Sequence, residues 1–203
     1  MVKVKICGIT NFEDALLCEE LGADALGFIF YDKSERYIDP QLAKDIIKRL
    51  LPFTIKVGVF VNVSTEKINS ISKSIGLNIV QLHGDEPQNV LSEIDLPVIK
   101  AFRIKQDFEF NIFNQFTNCS FLLDTYSDSI FGGTGKTFDW NLIPEHYRNK
   151  IILSGGVSSS NIQEIISKIK PYAVDVSSSL EEYPGKKSAI KVIDFFYNLK
   201  GTK

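Results

Sequence analysis

Residues 150–181 read KIILSGGVSSSNIQEIISKIKPYAVDVSSSLE, and this stretch contains two short apolar runs that each lead into a small, polar loop. The runs are rich in Ile, Leu and Val, which favour strands. Between them, the segment 158–161 carries helix-starting residues directly before apolar residues at helical spacing. The stretch therefore predicts a strand, a helix and a second strand, with a loop rich in Gly or Ser after each strand.

The same alternation extends over the whole chain. Apolar runs begin near residues 2, 24, 55, 78, 97, 120, 150 and 173, and most gaps between them carry apolar residues at helical spacing. The gaps at 107–116 and 125–149 are poor helices, because the first is crowded with Phe and Asn and the second holds a long Gly/Ser/Thr-rich loop. Eight strand-helix units without a break in composition predict an α/β fold, a single-domain (β/α)8 TIM barrel over residues 1–203.

Residues that start helices support this prediction. Asn11 with Asp14 precedes the first apolar-periodic gap, and Ser64 precedes the third. Pro40 stands where the first turn of the second helix is expected, a position that tolerates the missing N–H of proline.

Composition limits the class of partner. The 203 residues are 44% apolar, enough for a continuous core, and the formal net charge is −2 with charges scattered along the chain. No basic face for nucleic acid, no cationic amphipathic segment and no run of ~20 apolar residues is present in the sequence. We therefore expect a small-molecule ligand, with no nucleic acid and no membrane as partner.

Cysteine usage and the amino terminus indicate a cytoplasmic protein. The three cysteines are odd in number and include no CxxC, and neither of the two histidines lies at ligand spacing from a cysteine, so we expect neither disulfides nor a metal site. The first ten residues lack the pattern of a signal peptide. No apolar outer stripe indicates an interface, so both a monomer and a homodimer remain open.

Two candidate catalytic residues stand at predicted strand ends, where barrel enzymes place their chemistry. Cys7 ends the first strand in KICGIT, and cationic neighbours there would lower its pKa and make it a thiolate. Asp124 ends the sixth strand in FLLD, where burial would raise its pKa and keep it protonated as a general acid. By residue type alone, an inert buried cysteine and a loop or capping carboxylate are the alternatives.

Four further side chains are candidates for supporting roles. Arg36, just past the second strand, could grip a substrate carboxylate in a two-pronged pair, and His83, after the fourth strand, could contact substrate. Strand parity places Lys5 beneath Cys7 and turns Asp175 into the barrel, which predicts a buried ion pair between Lys5 and Asp175.

The loops after the seventh and eighth strands predict a phosphate site. Barrel enzymes often bind phosphate at these two loops, and small residues let backbone N–H groups approach the anion. We expect phosphate contacts from Gly155, Gly156, Ser178 and Ser179. The segment GGTGKT at 132–137 lacks the first glycine of a Walker A loop and is better interpreted as a glycine-hinged lid.

Seven motifs, in this order, resemble the phosphoribosylanthranilate isomerase family: KICGIT, YDKSERYI, VGVFVN, QLHGDE, GGTGKTFDW, LSGGV and VDVSSSLE. The resemblance covers nearly the whole chain. It implies a cofactor-free Amadori rearrangement of a phosphorylated aminoaldose in tryptophan biosynthesis. It further implies that Cys7 is the general base, that Asp124 is the general acid and that Arg36 binds the anthranilate carboxylate.

Two positions depart from the family pattern, and three other functions stay open. Glu35 replaces a common proline before the arginine, which predicts a looser Arg36, and Ser179 replaces a common glycine, which predicts strain if the position needs positive φ. The alternatives are another phosphosugar barrel, such as an imidazole-pathway isomerase or indoleglycerol phosphate synthase, a P-loop nucleotide hydrolase, and a catalytically silent phosphosugar-binding barrel.

Overall fold

Eight parallel strands close into a barrel in the computed structural model, which describes residues 2–125 and 138–201. Each strand pairs with the next along the chain, and the eighth pairs with the first. The predicted (β/α)8 TIM barrel is confirmed. The barrel strands are β1 (Lys3–Cys7), β2 (Ala25–Ile29), β3 (Ile55–Phe60), β4 (Ile79–Leu82), β5 (Val98–Ile104), β6 (Cys119–Thr125), β7 (Ile151–Leu153) and β8 (Ala173–Val176).

Helices cover the outside of the barrel. The α-helices are α1 (Phe12–Leu21), α2 (Pro40–Ile47), α3 (Thr65–Ile75), α4 (Glu145–Arg148), α5 (Ile162–Glu164) and α6 (Ala189–Lys200). A π-helical turn, Ile165–Ile169, continues α5. Short 3-10 helices lie at Gln88–Glu93, Phe110–Gln115, Trp140–Leu142 and Ser178–Leu180.

The predicted helix starts agree with this structure. Asn11 Oδ1 accepts the backbone N–H of Asp14 at 2.9 Å, and Pro40 is the first residue of α2. Ser64 caps α3. The two gaps predicted to be poor helices contain only 3-10 turns and the single turn α4 in their described parts, since their Phe, Asn and Pro residues disfavour a regular helix.

The apolar core has two parts, one inside the barrel and one between the barrel and its helices. The inner part is small and is formed by side chains that point inward from six strands, namely Ala25, Val57, Ile99, Ala101, Leu122, Ile152 and Ala173. Lys5 and Asp175 lie opposite each other on β1 and β8, both buried, with Lys5 Nζ 2.8 Å from Asp175 Oδ1. The predicted ion pair is therefore present, and it identifies the inward face of β1.

A two-stranded antiparallel hairpin follows β8 and was not predicted from the sequence. It consists of β9 (Glu181–Tyr183) and β10 (Lys186–Lys187). Its turn contains Gly185, whose φ is +85°, and the carbonyl of Gly185 accepts a hydrogen bond from the hydroxyl of Thr10. The hairpin thus returns to the loop after β1.

In the described ranges 2–125 and 138–201, no helix combines the length and the apolar character that crossing a bilayer requires.

Candidate active site

Cys7 lies at the carboxyl end of β1 on the same face as Lys5. It pairs in register with Gly27 of β2, and a Cβ atom at Gly27 would lie 2.8 Å from Cys7 Sγ and 3.1 Å from Lys5 Nζ. Only glycine therefore leaves room for the thiol and the ammonium group together. The carbonyl of Cys7 accepts hydrogen bonds from Lys187 Nζ at 2.7 Å and from Ser177 Oγ at 3.0 Å.

The environment of Cys7 corrects one expectation from the sequence. Burial raises the pKa of the Cys7 thiol, and this outweighs Lys5 and Lys187, which lower it, while the nearby Asp175 carboxylate raises it further. The predicted pKa below the ordinary range is wrong for this structure, because the thiol is almost fully desolvated. Burial also acts to lower the pKa of Lys5, but Asp175 and Cys7 raise it above its usual value, so Lys5 stays cationic.

Asp124 lies at the carboxyl end of β6 and has the inward parity of Leu122, a member of the inner core. Its Oδ1 accepts the backbone N–H of Thr125 at 2.8 Å, and the side chain is buried. Gly155 packs directly against it, since a Cβ atom at Gly155 would lie 3.1 Å from Asp124 Oδ1 and 2.2 Å from Thr125 Oγ1. The loop after β7 thus fixes the position of this carboxyl group.

His83 lies beside Asp124, with His83 Nε2 3.3 Å from Asp124 Oδ2. On the other side of the ring, Nδ1 lies 2.8 Å from Nε2 of the buried Gln81. Among the described residues, neither His83 Nε2 nor Gln81 Oε1 has a hydrogen-bond partner. The ring therefore lies between an amide that bonds to Nδ1 and the candidate acid, which Nε2 approaches without a hydrogen bond, a position that suits an electrostatic effect on Asp124.

The loop that carries His83 is anchored by a buried ion pair. Lys100 Nζ lies 2.7 Å from Glu86 Oε2 and donates to the carbonyl of Gly84 at 2.8 Å. Glu86 also accepts the backbone N–H groups of Gly84 and Asn62. These bonds satisfy the charge of a buried carboxylate and hold the loop in one conformation.

Arg36 is paired with a protein carboxylate. Its Nε donates to Glu181 Oε1 at 2.9 Å and its Nη2 donates to Glu181 Oε2 at 2.7 Å. The Arg36 side chain is 12% exposed and the Glu181 side chain 4%. Burial by itself raises the pKa of Glu181, but Arg36 and Lys187 hold it below its usual range. Despite Glu35, Arg36 is firmly held by this pair.

The two candidate phosphate loops lie side by side. Gly155 and Gly156 have φ values of +77° and +75°, which favour glycine, and Ser178 begins the 3-10 turn after β8. Ser179 Oγ donates to the carbonyl of Val157 at 2.6 Å and so connects the loops. Ser179 does not have a positive φ. Serine in place of the family's usual glycine therefore introduces no backbone strain here.

Two other predictions from the sequence concern a lid and a metal site. The lid predicted at 132–137 lies outside the described residues. Within 2–125 and 138–201, no group of three or more His, Cys, Asp or Glu side chains is arranged to hold a metal ion.

The sequence model of the family described as N-(5'-phosphoribosyl)anthranilate (PRA) isomerase matches residues 4–198. The chain belongs to this family. A curated relative of that name from Trichlorobacter lovleyi is 46% identical, and the alignment covers 98% of each chain. The predicted resemblance is therefore confirmed, and this isomerase family member is an enzyme.

Solved structures of the family agree with the fold. The phosphoribosyl anthranilate isomerase of Thermotoga maritima superposes with a TM-score of 0.92 at 46% identity, covering all of both chains. A second isomerase structure, in complex with reduced 1-(o-carboxyphenylamino)-1-deoxyribulose 5-phosphate, has a TM-score of 0.88 at 43% identity, again over both full chains.

Three residues of this isomerase site were not identified from the sequence. Gln81 has the same parity as His83 in QLHGDE, and strict alternation could have placed both on one face. Glu181 and Lys187 had no such signal, because they meet Arg36 and Cys7 through contacts that span 145 and 180 residues of the chain.

Proposed function

We propose that this chain converts N-(5-phosphoribosyl)anthranilate into 1-(2-carboxyphenylamino)-1-deoxyribulose 5-phosphate, with Cys7 as general base and Asp124 as general acid. The observation that carries the proposal is the match to the family over residues 4–198. The inward position of both side chains at the carboxyl ends of β1 and β6 supports their roles. The reaction is an Amadori rearrangement of tryptophan biosynthesis that needs no cofactor.

Asp124 starts the reaction by protonating the ring oxygen of the ribose. The ring opens to an iminium ion, whose positive nitrogen acidifies the hydrogen on C2. Cys7 removes this proton, and the resulting enolamine tautomerises to the ketone. One group donates a proton and the other accepts one, so they must start in opposite protonation states.

The charges around Cys7 fit a base that is activated by its substrate. In the free enzyme, burial raises the pKa of the thiol, while Lys5 and Lys187 favour the thiolate. The iminium ion adds a further positive charge next to the sulfur, and an opposite charge at this distance favours the ionised form. A larger fraction of Cys7 is therefore thiolate, the form that can accept the C2 proton, when the ring has opened.

His83 acts through Asp124 in this proposal. Its Nε2 lies 3.3 Å from Asp124 Oδ2, so the ring can stabilise the carboxylate that remains after the proton has left. The sequence made His83 a candidate for substrate contact in a supporting role, and the geometry favours this role on the acid.

The two anionic ends of the substrate have separate contacts. The phosphate binds to backbone N–H groups of Gly155, Gly156, Ser178 and Ser179, at the paired loops after β7 and β8. The anthranilate carboxylate binds to Arg36. All these backbone and side-chain groups come from one barrel domain, which we take to span residues 1–203. A monomer and a homodimer would therefore support the reaction equally. Cys7, Cys18 and Cys119 are free thiols, which supports our proposal that the enzyme functions in a reducing compartment, the cytoplasm.

The test is turnover of N-(5-phosphoribosyl)anthranilate, followed through the loss of anthranilate-type fluorescence. We expect Cys7→Ala and Asp124→Ala each to lower kcat by at least ~100-fold, the usual scale for loss of a positioned acid or base. Cys119→Ala is the matched control, since this thiol is at the opposite end of β6, and should keep the wild-type kcat. Near-normal kcat in the Cys7 or Asp124 variant would contradict its role, and turnover confined to the imidazole-pathway aminoaldose would contradict the substrate.

A further inference from the structure

Glu181 is a buried carboxylate that joins two cations at the barrel mouth. It accepts three hydrogen bonds from Arg36, between 2.7 and 3.0 Å, and one from Lys187 Nζ at 3.0 Å. The backbone N–H of Gly185 in the hairpin turn also donates to it, at 3.4 Å. A carboxylate with this many charged partners is fully compensated, and its position is fixed.

The bonds to Glu181 occupy one edge of the Arg36 guanidinium group. They use Nε and Nη2, whereas a guanidinium presents five N–H donors on two edges that can each bind a carboxylate. Over residues 2–125 and 138–201, no protein group bonds to Nη1, so the Nη1/Nη2 edge of Arg36 can bind a second carboxylate.

Packing fixes where Arg36 lies. A Cβ atom at Gly8 would be 2.9 Å from Arg36 Cδ and 3.2 Å from Ser177 Oγ, and the φ of Gly8 is +79°. Arg36 thus lies against the residue after Cys7 and next to the loop after β8. The aliphatic part of Arg36 therefore packs beside the carboxyl end of β1, which carries the candidate base.

The local charge balance favours an anionic ligand. Arg36 and Lys187 carry two positive charges around the single carboxylate of Glu181, while the neighbouring Asp14 is paired with Lys186. Lys187 is fully buried and also holds the carbonyl groups of Cys7 and Ser177. Among the residues that the structure describes, one positive charge of this buried group has no counter-ion, and a substrate carboxylate would provide it.

We infer that Glu181 is a positioning residue that gives the enzyme its preference for a carboxylated arylamine substrate, by turning the Nη1/Nη2 edge of Arg36 toward the substrate carboxylate. The inference rests on the proposed function. It assigns to Glu181 no contact with the reacting atoms.

The test compares two substrates that differ in the carboxylate alone, N-(5-phosphoribosyl)anthranilate and N-(5-phosphoribosyl)aniline. For Glu181→Gln we expect the kcat/KM for the carboxylated substrate, divided by that for the aniline, to fall at least ~10-fold, mainly through a higher KM for the carboxylated substrate. The reason is that a misdirected Arg36 guanidinium group loses its bidentate contact with the carboxylate. Arg36→Ala should lower the ratio at least as much. The double variant should match Arg36→Ala, since Glu181 acts only through Arg36.

An equal loss for both substrates in Glu181→Gln would overturn the inference, because a purely structural role damages the two reactions alike. If circular dichroism shows that Glu181→Gln does not fold, the ratio is measured for Glu181→Asp, whose shorter carboxylate must also reduce the preference, and an unchanged ratio there overturns the inference. Failure of the wild-type enzyme to turn over either substrate would instead contradict the proposed function.

Discussion

At the scale of single residues, Cys7 shows how burial and charge compete for one proton. Its thiol is surrounded by apolar and charged groups at once, with Lys5 beneath it and Asp175 on the neighbouring strand. Burial favours the neutral thiol and Lys5 favours the thiolate. The net shift of the Cys7 pKa is upward, because burial outweighs the effect of Lys5.

This competition predicts the pH dependence of the reaction. Because the Cys7 pKa is raised, kcat/KM should increase with pH on the alkaline side of neutrality as the thiolate forms. Asp175 raises that pKa, so Asp175→Asn should move the rising limb to lower pH, and Lys5→Met should move it to higher pH. The measurement is kcat/KM against pH for the three proteins, with the thiolate titrated in parallel by its ultraviolet absorbance.

If kcat/KM rises over the same pH range in the wild type and in both variants, the titrating group is not Cys7. Asparagine is isosteric with aspartate and keeps a hydrogen-bond acceptor for Lys5, so the Asp175 variant tests charge with little change in packing.

At the same scale, the sequence predicted residues whose position follows from strand parity. Lys5, Cys7 and Asp175 share alternating strand positions, and their mutual contacts follow from the closure of β8 on β1. The pKa direction of Cys7 could not be predicted, because it depends on how completely the thiol is desolvated. Glu181 could not be predicted either, since nothing local connects it to Arg36.

At the scale of elements, the strands were the most predictable part of the chain. Each of the eight apolar runs begins within one residue of a barrel strand, because strands buried on both faces require continuous apolar sequence. The segment at 181–187 gave no such signal, since its strands are short, polar and partly exposed. Its structure comes from contacts with Asp14, Thr10 and Cys7, which only the closed barrel brings near.

The loop after β7 gives a prediction about stability. Gly155→Ala should cost about 1–2 kcal/mol for the left-handed backbone and about 1–3 kcal/mol more for overpacking, because the new Cβ would lie 2.2 Å from Thr125 Oγ1 and 2.6 Å from Thr125 N. Gly76→Ala is the matched control. Its φ is +79°, but nothing lies within 4 Å of the added Cβ, so it should show the backbone cost alone.

Urea unfolding of the two variants measures both free energies. Equal losses would show that the contact between Gly155 and Thr125 relaxes freely. A larger loss for Gly155→Ala should be accompanied by a lower kcat, because the displaced loop packs on Asp124.

At the scale of the whole molecule, the buried ion pairs connect stability to pH. Burial tends to raise the pKa of Glu181, but Arg36 and Lys187 hold it below the usual range in the folded state. A carboxylate with a lowered folded-state pKa stabilises the protein above its unfolded pKa, about 4.3 for glutamate, and this stability is lost as pH falls through the folded-state pKa.

We therefore expect the free energy of unfolding of the wild type to decrease as pH falls below about 4.3. Glu181→Gln should be less stable at neutral pH, because two buried cations lose their counter-ion, and should lose less stability on acidification. Urea unfolding over a pH series measures both slopes. Parallel curves for the two proteins would show that Glu181 does not contribute to acid sensitivity.

The hairpin after β8 also has a consequence for the order in which the enzyme matures. Lys187 reaches back across 180 positions to the carbonyl of Cys7, and Glu181 reaches back to Arg36. During translation, Cys7 and Arg36 are made well before Glu181 and Lys187, the residues that hold them. A polypeptide released before residue 181 would contain the proposed base and acid but lack the hairpin contacts that hold the Cys7 carbonyl and Arg36, so we expect it to show no turnover.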